Sequence, residues 1–285
     1  MNDLKWGEKK WFDNHYIDSS SNFKDSWEIS SRGSQTVRIN NIISIITKFS
    51  KSFDEFIDIG SGLGIFLERL KQKVKINHTY STDISKEACK ALILKKITNY
   101  SEVSALPNIP FDGKRFDLVT ANEVIYYLNN KNRKKAVHQL INSTKKGGLL
   151  CISGSISTNG NYFSLNEIEK YLPKNIKILS KKFHYLNLYY PIENFFYKIK
   201  RISSQTRFII TKNKKYKIYK KGRFFKKDYL PIISIFIYPI TKLIIILLYP
   251  FIYTSFTAYF ISFISKLFLF KKSISGVIYI LKKKS

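Results

Sequence analysis

The chain has 285 residues, is 44% apolar and carries a formal net charge of +29; that is enough apolar content to bury one full domain core with roughly a hundred residues left over. Its two cysteines, Cys89 and Cys151, exclude a disulfide scaffold. The four histidines have no cysteine or acidic partners at ligand spacing, so no metal site is expected.

Residues 1–34 are polar and aromatic, with Trp6, Trp11, His15, Tyr16, Phe23 and Trp27 spaced too irregularly for an amphipathic helix. They read either as a lid over a ligand or as packing on a domain surface. The opening M-N-D-L-K-W-G-E-K-K is polar and does not read as a secretory signal, so the part that follows it is expected to remain in the cytoplasm. Val37, Ile42, Ile45, Ile46 and Phe49 recur at helical spacing and predict a helix over 35–49. The apolar run 53–59 then passes through Asp58 into Gly60, Gly62 and Gly64. A strand feeding a glycine-rich turn and a helix is a nucleotide-binding device, because residues without a Cβ let the backbone approach a ligand closely.

Beyond a helix reaching about residue 73, a second strand ends in Asp83, and Ser85 is placed to cap the next helix. A weakly marked strand near 100–103 is followed by one at 116–121 that ends at Asn122 and Glu123. A helix at 131–144, a strand at 148–153, a helix capped by Ser164 and a strand at 176–183 continue the alternation, which predicts an α/β fold with a parallel sheet.

Four pieces in this order, D-I-G-S-G-L-G at 58–64, the acid-ended strand 76–83, F-D-L-V-T-A-N-E-V-I-Y-Y-L at 116–128 and K-K-G-G-L-L-C-I-S at 145–153, resemble the class I S-adenosylmethionine (SAM) dependent methyltransferases over about residues 35–185. A dinucleotide site would put its third glycine three residues after the second; here Gly64 follows Gly62 by two. The resemblance implies a Rossmann-like three-layer α/β/α sandwich around a mainly parallel seven-stranded sheet, with SAM as cofactor. It implies that Gly60, Ser61, Gly62 and Gly64 lie beside the methionine part of SAM, with Asp58 helping to hold its ammonium. Asp83, followed by Ile84, would bind the ribose hydroxyls. Glu102 stands where the family has an Asp for the adenine amino group, and backbone contacts from Val103 and Ser104 are the alternative. Asn122 and Glu123 would touch the methyl donor or acceptor. Glu123, Tyr126, His138 and His184 are the acid–base candidates, with Glu123 and His184 taken as catalytic.

The segment after the fourth strand lacks the Asn/Asp-Pro-Pro-Tyr/Phe motif of amino methyltransferases acting on adenine or glutamine, and the chain has no Pro-Cys nucleophile of cytosine C5 enzymes. A nucleic-acid acceptor is therefore disfavoured. The strings E-V-I-Y-Y-L at 123–128 and H-Y-L-N-L-Y-Y-P-I-E at 184–193 are similar to bacterial methyltransferases of the nodulation N-methyltransferase type and to others found with surface-glycan biosynthesis. This implies a small-molecule, glycan or lipid-linked acceptor. SAM binding without chemistry, and nucleic-acid methylation gripped by a basic region, are the competing functions.

The positive charge belongs to the C-terminal third, where residues 181–285 hold 22 Lys or Arg against two acids, Glu193 and Asp228. Residues 229–270 carry only Lys242 and Lys266, and 243–265 carry no charge. Nine Lys or Arg at 212–227 precede this apolar stretch, and Lys271, Lys272 and Lys282 to Lys284 follow it. Basic residues on both flanks favour an anionic membrane surface on the cytoplasmic side, met by a re-entrant hairpin or by in-plane helices. A single pass and a buried helical pair are the alternatives. The last strand has two candidates, 207–211 and 277–281, of which the second suits a short β-branched edge after Gly276. The division expected is 1–34 as cap, 35–205 as SAM-binding domain, 206–270 as basic linker and apolar pair, and 271–285 as last strand and tail.

Overall fold

The computed structural model describes residues 8–17, 23–157, 162–211, 230–252 and 254–284. Seven strands form one sheet: β1 (Ser52–Ile59), β2 (Lys75–Asp83), β3 (Tyr100–Val103), β4 (Phe116–Asn122), β5 (Thr144–Ser155), β6 (Ile176–His184) and β7 (Gly276–Lys283). The described helices are α1 (Lys9–Tyr16), α2 (Gly33–Phe49), α3 (Ile65–Lys71), α4 (Lys86–Leu94), α5 (Asn130–Ser143), α6 (Tyr189–Thr211), α7 (Leu230–Ile252) and α8 (Ser255–Leu269). The strand order is β3-β2-β1-β4-β5-β7-β6, with β7 antiparallel to both its neighbours. The order reverses between β1 and β4, and at such a switch point the crevice beyond the carboxyl ends of the strands receives ligands.

Alternation along the strands separates two cores. Phe56, Leu118, Leu149 and Cys151 pack with Ile42 and Ile46 of α2 and Leu67 of α3. Ile57, Val119, Leu150 and Ile152 face the other way, against Val137, Leu140 and Ile141 of α5. The result is the expected α/β/α sandwich. Leu281 and Ile280 of β7 are also divided between the two cores, so the chain's last strand is central to the sheet in packing. Residues 207–211, the other strand candidate, lie in α6.

Two further expectations are corrected. Residues 9–16 are helical despite their irregular aromatics, because Phe12 and Tyr16, four apart, turn one face to Leu63, Ala88 and Ala91. The helix expected after Ser164 is only a short 3-10 turn, Ile168–Tyr171. There the Glu167 carboxylate accepts from the Ser164 amide, the Tyr171 hydroxyl and the Arg133 guanidinium, so side chains fix the segment in place of a helical ladder.

The chain divides into two compact units, one of Met1–Ser30, Arg38–Tyr185 and Ile274–Ser285, the other of Ser31–Val37 and Leu186–Ser273. The first holds the sheet. The second is helical, with a small core of Val37, Leu186, Tyr189 and Ala258. In it the buried Glu193 carboxylate accepts from the Ser34 amide at 3.0 Å and from Arg32 Nε at 3.0 Å. The basic stretch 212–227 lies outside the described residues.

Candidate active site

Period-2 alternation decides what reaches the crevice. Asp58 shares the face of Phe56, and Thr120, Asn122 and Ser153 share the face of Leu118 and Cys151, so four polar side chains interrupt one apolar layer at the carboxyl ends of β1, β4 and β5. They bond in register. Thr120 pairs directly with Asp58 in the ladder, and its hydroxyl donates to the Asp58 carboxylate. Asn122 is opposite Ser153, whose hydroxyl donates to Asn122 Oδ1 at 3.0 Å.

The glycine turn bends the chain across these ends. Gly60, Gly62 and Gly64 all have positive φ. At Gly62 a Cβ would meet the Tyr16 hydroxyl at 3.0 Å, so α1 lies directly over the turn. At Gly64, which precedes α3, a Cβ would lie 2.6 Å from Leu92 and 2.8 Å from Ile97, so this glycine serves packing against α4. Ser61 donates to the Asp58 carbonyl at 2.8 Å and closes the turn. At the end of β2 the Asp83 carboxylate accepts from the amides of Gly62 and Ser85, both at 2.9 Å. The Ser85 hydroxyl meets the Ala88 amide at the start of α4 and donates to Asp13 of α1 at 2.6 Å.

Two acids are thus buried without a cation among their described hydrogen-bond partners. Burial pushes the Asp58 carboxyl from 3.8 up to about 7, against the opposing hydrogen bonds of Thr120 and Ser61. It pushes Asp83 up to about 6, against the amides of Ser85 and Gly62. Asn122 Nδ2 is a buried donor with no partner among the described residues. Such a set lacks what SAM carries: an ammonium, two ribose hydroxyls and polar acceptors. The residues fit that cofactor, with Asp58 toward an ammonium, Asp83 toward a ribose and Asn122 as a free donor.

The remaining sequence-predicted residues are less tightly grouped. Ile84 bridges Asp83 and the α4 cap. Glu102 and Val103 lie exposed at the end of β3, opposite Thr82 and Asp83 in the ladder. Glu123 follows β4 with φ of 60°, in the left-handed region that a side chain of its size rarely adopts. Its carboxylate accepts from Ser155 at 2.9 Å and pairs with Arg38 of α2. His184 ends β6, with β5 and β7 between it and β4, and its Nδ1 is 3.3 Å from Asn41 Nδ2. Burial, with Arg38 and Lys182 nearby, lowers its pKa to about 3, so it stays neutral and is a weak base; this counts against the catalytic role suggested for it. His138 of α5 meets the Tyr171 carbonyl at 3.0 Å and lines an open depression of about 530 Å³ with Asn108 and Lys134, away from the acids. The Tyr126 hydroxyl is buried and its pKa is raised by that burial, which keeps it protonated.

Sequence reasoning missed Arg38, Thr120 and Ser155 as members of this region. Arg38 had a signal: four residues before Ile42 and seven before Ile45, it sits on the helix's buried face. Thr120 is the polar break in an apolar strand. Asp54, Glu55 and His78 bring their ligand atoms within 4.8 Å of one another, but at the opposite end of β1 and β2, where Lys114 lies 3.3 Å from Glu55.

A family model described as "Methyltransferase domain" matches residues 57–152, from the glycine turn through β5. The strand order, the turn and the two end-of-strand acids agree with that match, so residues 57–152 form a methyltransferase domain with the Rossmann-like fold of enzymes that use SAM as methyl donor. Among solved structures, the N-methyltransferase NodS from Bradyrhizobium japonicum WM9, in complex with S-adenosyl-L-homocysteine, is similar at 15% identity with a TM-score of 0.53, over 61% of this chain and 89% of that one. The [4+2]-cyclase SpnF is similar at 10% identity and a TM-score of 0.52, over 88% of this chain and 81% of that one. These likenesses are of fold. No curated protein matches the chain in sequence.

Proposed function

We propose that the protein transfers the SAM methyl group to a small-molecule acceptor, glycan or lipid-linked, at the cytoplasmic face of a membrane. The observation that carries the transfer is the grouping of buried Asp58, buried Asp83 and the unpartnered Asn122 amide around the glycine turn. Bound SAM supplies an electrophilic methyl group. The chain then has to fix the donor, exclude water and align an acceptor. Asp58 and Asp83 fix the donor at its two ends, and Tyr16 closes over Gly62. Glu123 borders the acceptor side, held by Arg38 and Ser155, and acts there by orienting an acceptor.

The small-acceptor reading is supported by the absence of the nucleic-acid motifs after β4 and by the fold shared with NodS, an N-methyltransferase. The membrane part is supported by composition: an uncharged 243–265 between basic flanks. The test is calorimetric titration with SAM and S-adenosyl-L-homocysteine, followed by transfer of labelled methyl from SAM into lipid-extractable and water-soluble small-molecule pools. Saturable heat with both nucleosides and label in either pool support the reading. Absence of binding, or label recovered only in nucleic acid, overturns it.

A further inference from the structure

Helices α7 and α8 have inverted polarity. In α8 the residues turned inward are small, Ala258 and Ser265, both 0% exposed, while Phe256 is 78% exposed and Phe263 63%. The exposed column Phe256, Phe260, Phe263, Leu267 keeps the i, i+4, i+7, i+11 spacing of one helical face. In α7 the residue buried among those whose burial is described is Thr241, whose hydroxyl is satisfied within the helix by the Ile237 carbonyl at 2.9 Å, while Phe236, Ile240, Leu243 and Leu247 form the exposed stripe. In water the hydrophobic effect would put the aromatic and branched side chains inside and the hydroxyls outside. Small residues within and large apolar residues without is the arrangement found where the surroundings are hydrocarbon. An exposed apolar surface of this extent marks a docking face.

The charge of the segment that carries that face identifies the occupant. Residues 186–273 contain seventeen Lys or Arg and two acids, Glu193 and Asp228, and Glu193 is buried in its pair with Arg32. A second copy of this face would bring cations against cations, whereas a leaflet with anionic headgroups complements it. Connectivity fixes the mode. The chain leaves the sheet after β6 and returns to it as β7, hydrogen-bonded between β5 and β6, so the intervening segment has both ends on the same side of any bilayer. No single described helix is long and apolar enough to cross a membrane; Ile235–Pro250 and Ser255–Leu269 pass together only as a pair bent by 67°.

We propose that α7 and α8 form a monotopic anchor that inserts its phenylalanine- and leucine-rich face into one anionic leaflet without crossing it. This rests on the membrane part of the function proposed above and is independent of methyl transfer. The test is flotation of the full-length protein with phosphatidylcholine vesicles, with and without phosphatidylglycerol, SAM binding being measured on the same preparations. The native protein is expected to float with the anionic vesicles and to weaken as salt rises. The triple variant Phe256→Ser, Phe260→Ser, Phe263→Ser is expected to lose partitioning by at least about tenfold and keep SAM affinity. If that variant does not fold, Phe260→Trp in an otherwise native chain gives a second measurement, with lipids brominated at shallow or deep acyl positions. Stronger quenching by the shallow bromines supports the anchor. Undiminished flotation of a folded triple variant, a native protein that stays in solution or self-associates through this face, or stronger quenching by deep bromines overturns it. Loss of SAM binding with flotation intact would overturn the methyltransferase reading and leave the anchor standing.

Discussion

The Asp83 carboxylate accepts a hydrogen bond from the Gly62 amide at 2.9 Å, so the acid that ends β2 holds the glycine turn that follows β1. Its other oxygen takes the Ser85 amide and fixes the start of α4. One buried carboxylate therefore organises both the glycine turn and the start of α4, and still has lone pairs for the ribose hydroxyls we propose it receives.

Replacing it removes both functions. Asp83→Ala is expected to weaken SAM binding by about 100-fold or more, the equivalent of two hydrogen bonds to a charged group. Calorimetry reads this directly. A variant that binds within about threefold of the native protein would separate Asp83 from the cofactor site.

Asp58 makes the stability of the ligand-free protein pH-sensitive in a defined direction. Its carboxyl ionises at about 7 in the folded protein, raised by burial from 3.8. The unfolded chain gives up this proton near 3.8 while the folded one keeps it, so this group's contribution to stability is complete below about 4 and is lost as pH rises to about 7. Asp83, raised to about 6, acts with the same sign. Asp58→Asn should then raise the urea midpoint of the ligand-free protein at pH 7.5, by on the order of 1–4 kcal/mol in stability, and leave it little changed at pH 4. An ammonium ligand favours the ionised acid, so native SAM affinity should fall as pH drops below about 7, with proton release seen as heat that depends on the buffer. A midpoint that falls at pH 7.5 in Asp58→Asn, or binding heat independent of buffer, would contradict this account of the acid.

Most of the sheet was legible because each strand carries its own local signal. Strands β1, β2 and β4 end in residues that a parallel sheet presents to a crevice, and the glycine turn has one spacing. Even β7 could be placed, at 277–281 against the observed Gly276–Lys283, from its β-branched run after Gly276. What escaped depends on contacts distant in sequence. Arg38 meets Glu123 across 85 positions, and Arg133 draws in Glu167 across 34, replacing the helix that a Ser164 cap predicts. His184 reads locally as a loop histidine beside the crevice; its burial against Asn41 comes from α2 packing over the sheet, which no local pattern reports.

The lid contact at Gly62 has a direct consequence. With φ of +53° and the Tyr16 hydroxyl 3.0 Å from where a Cβ would stand, Gly62→Arg must displace both the turn and α1. The expected result is loss of measurable SAM heat together with faster proteolysis within residues 9–16, because α1 loses its seat. Tyr16→Phe, which keeps the ring and removes only the hydroxyl, should bind SAM within about threefold of the native protein. Undiminished binding by Gly62→Arg would show that the cofactor sits elsewhere.

Arg38 and Glu123 should behave as a unit. Both side chains are largely buried, at 11% and 24% exposure, and Ser155 is the other described donor to the carboxylate. Removing the cation alone, in Arg38→Met, leaves a desolvated carboxylate on a residue already held at positive φ, and should cost about 2 kcal/mol or more. Glu123→Gln alone leaves the guanidinium with a neutral acceptor and should cost less. The double variant should be more stable than the sum of the two losses predicts, with a coupling of at least about 1 kcal/mol. Urea denaturation of the four proteins closes the cycle. Because the pair lies beyond β4, where we propose the acceptor binds, SAM affinity should change by no more than about threefold in any of them. Strictly additive losses would mean that the ion pair contributes nothing to stability, and a SAM affinity that tracks Arg38 would move this pair from the acceptor side of the crevice to the donor side.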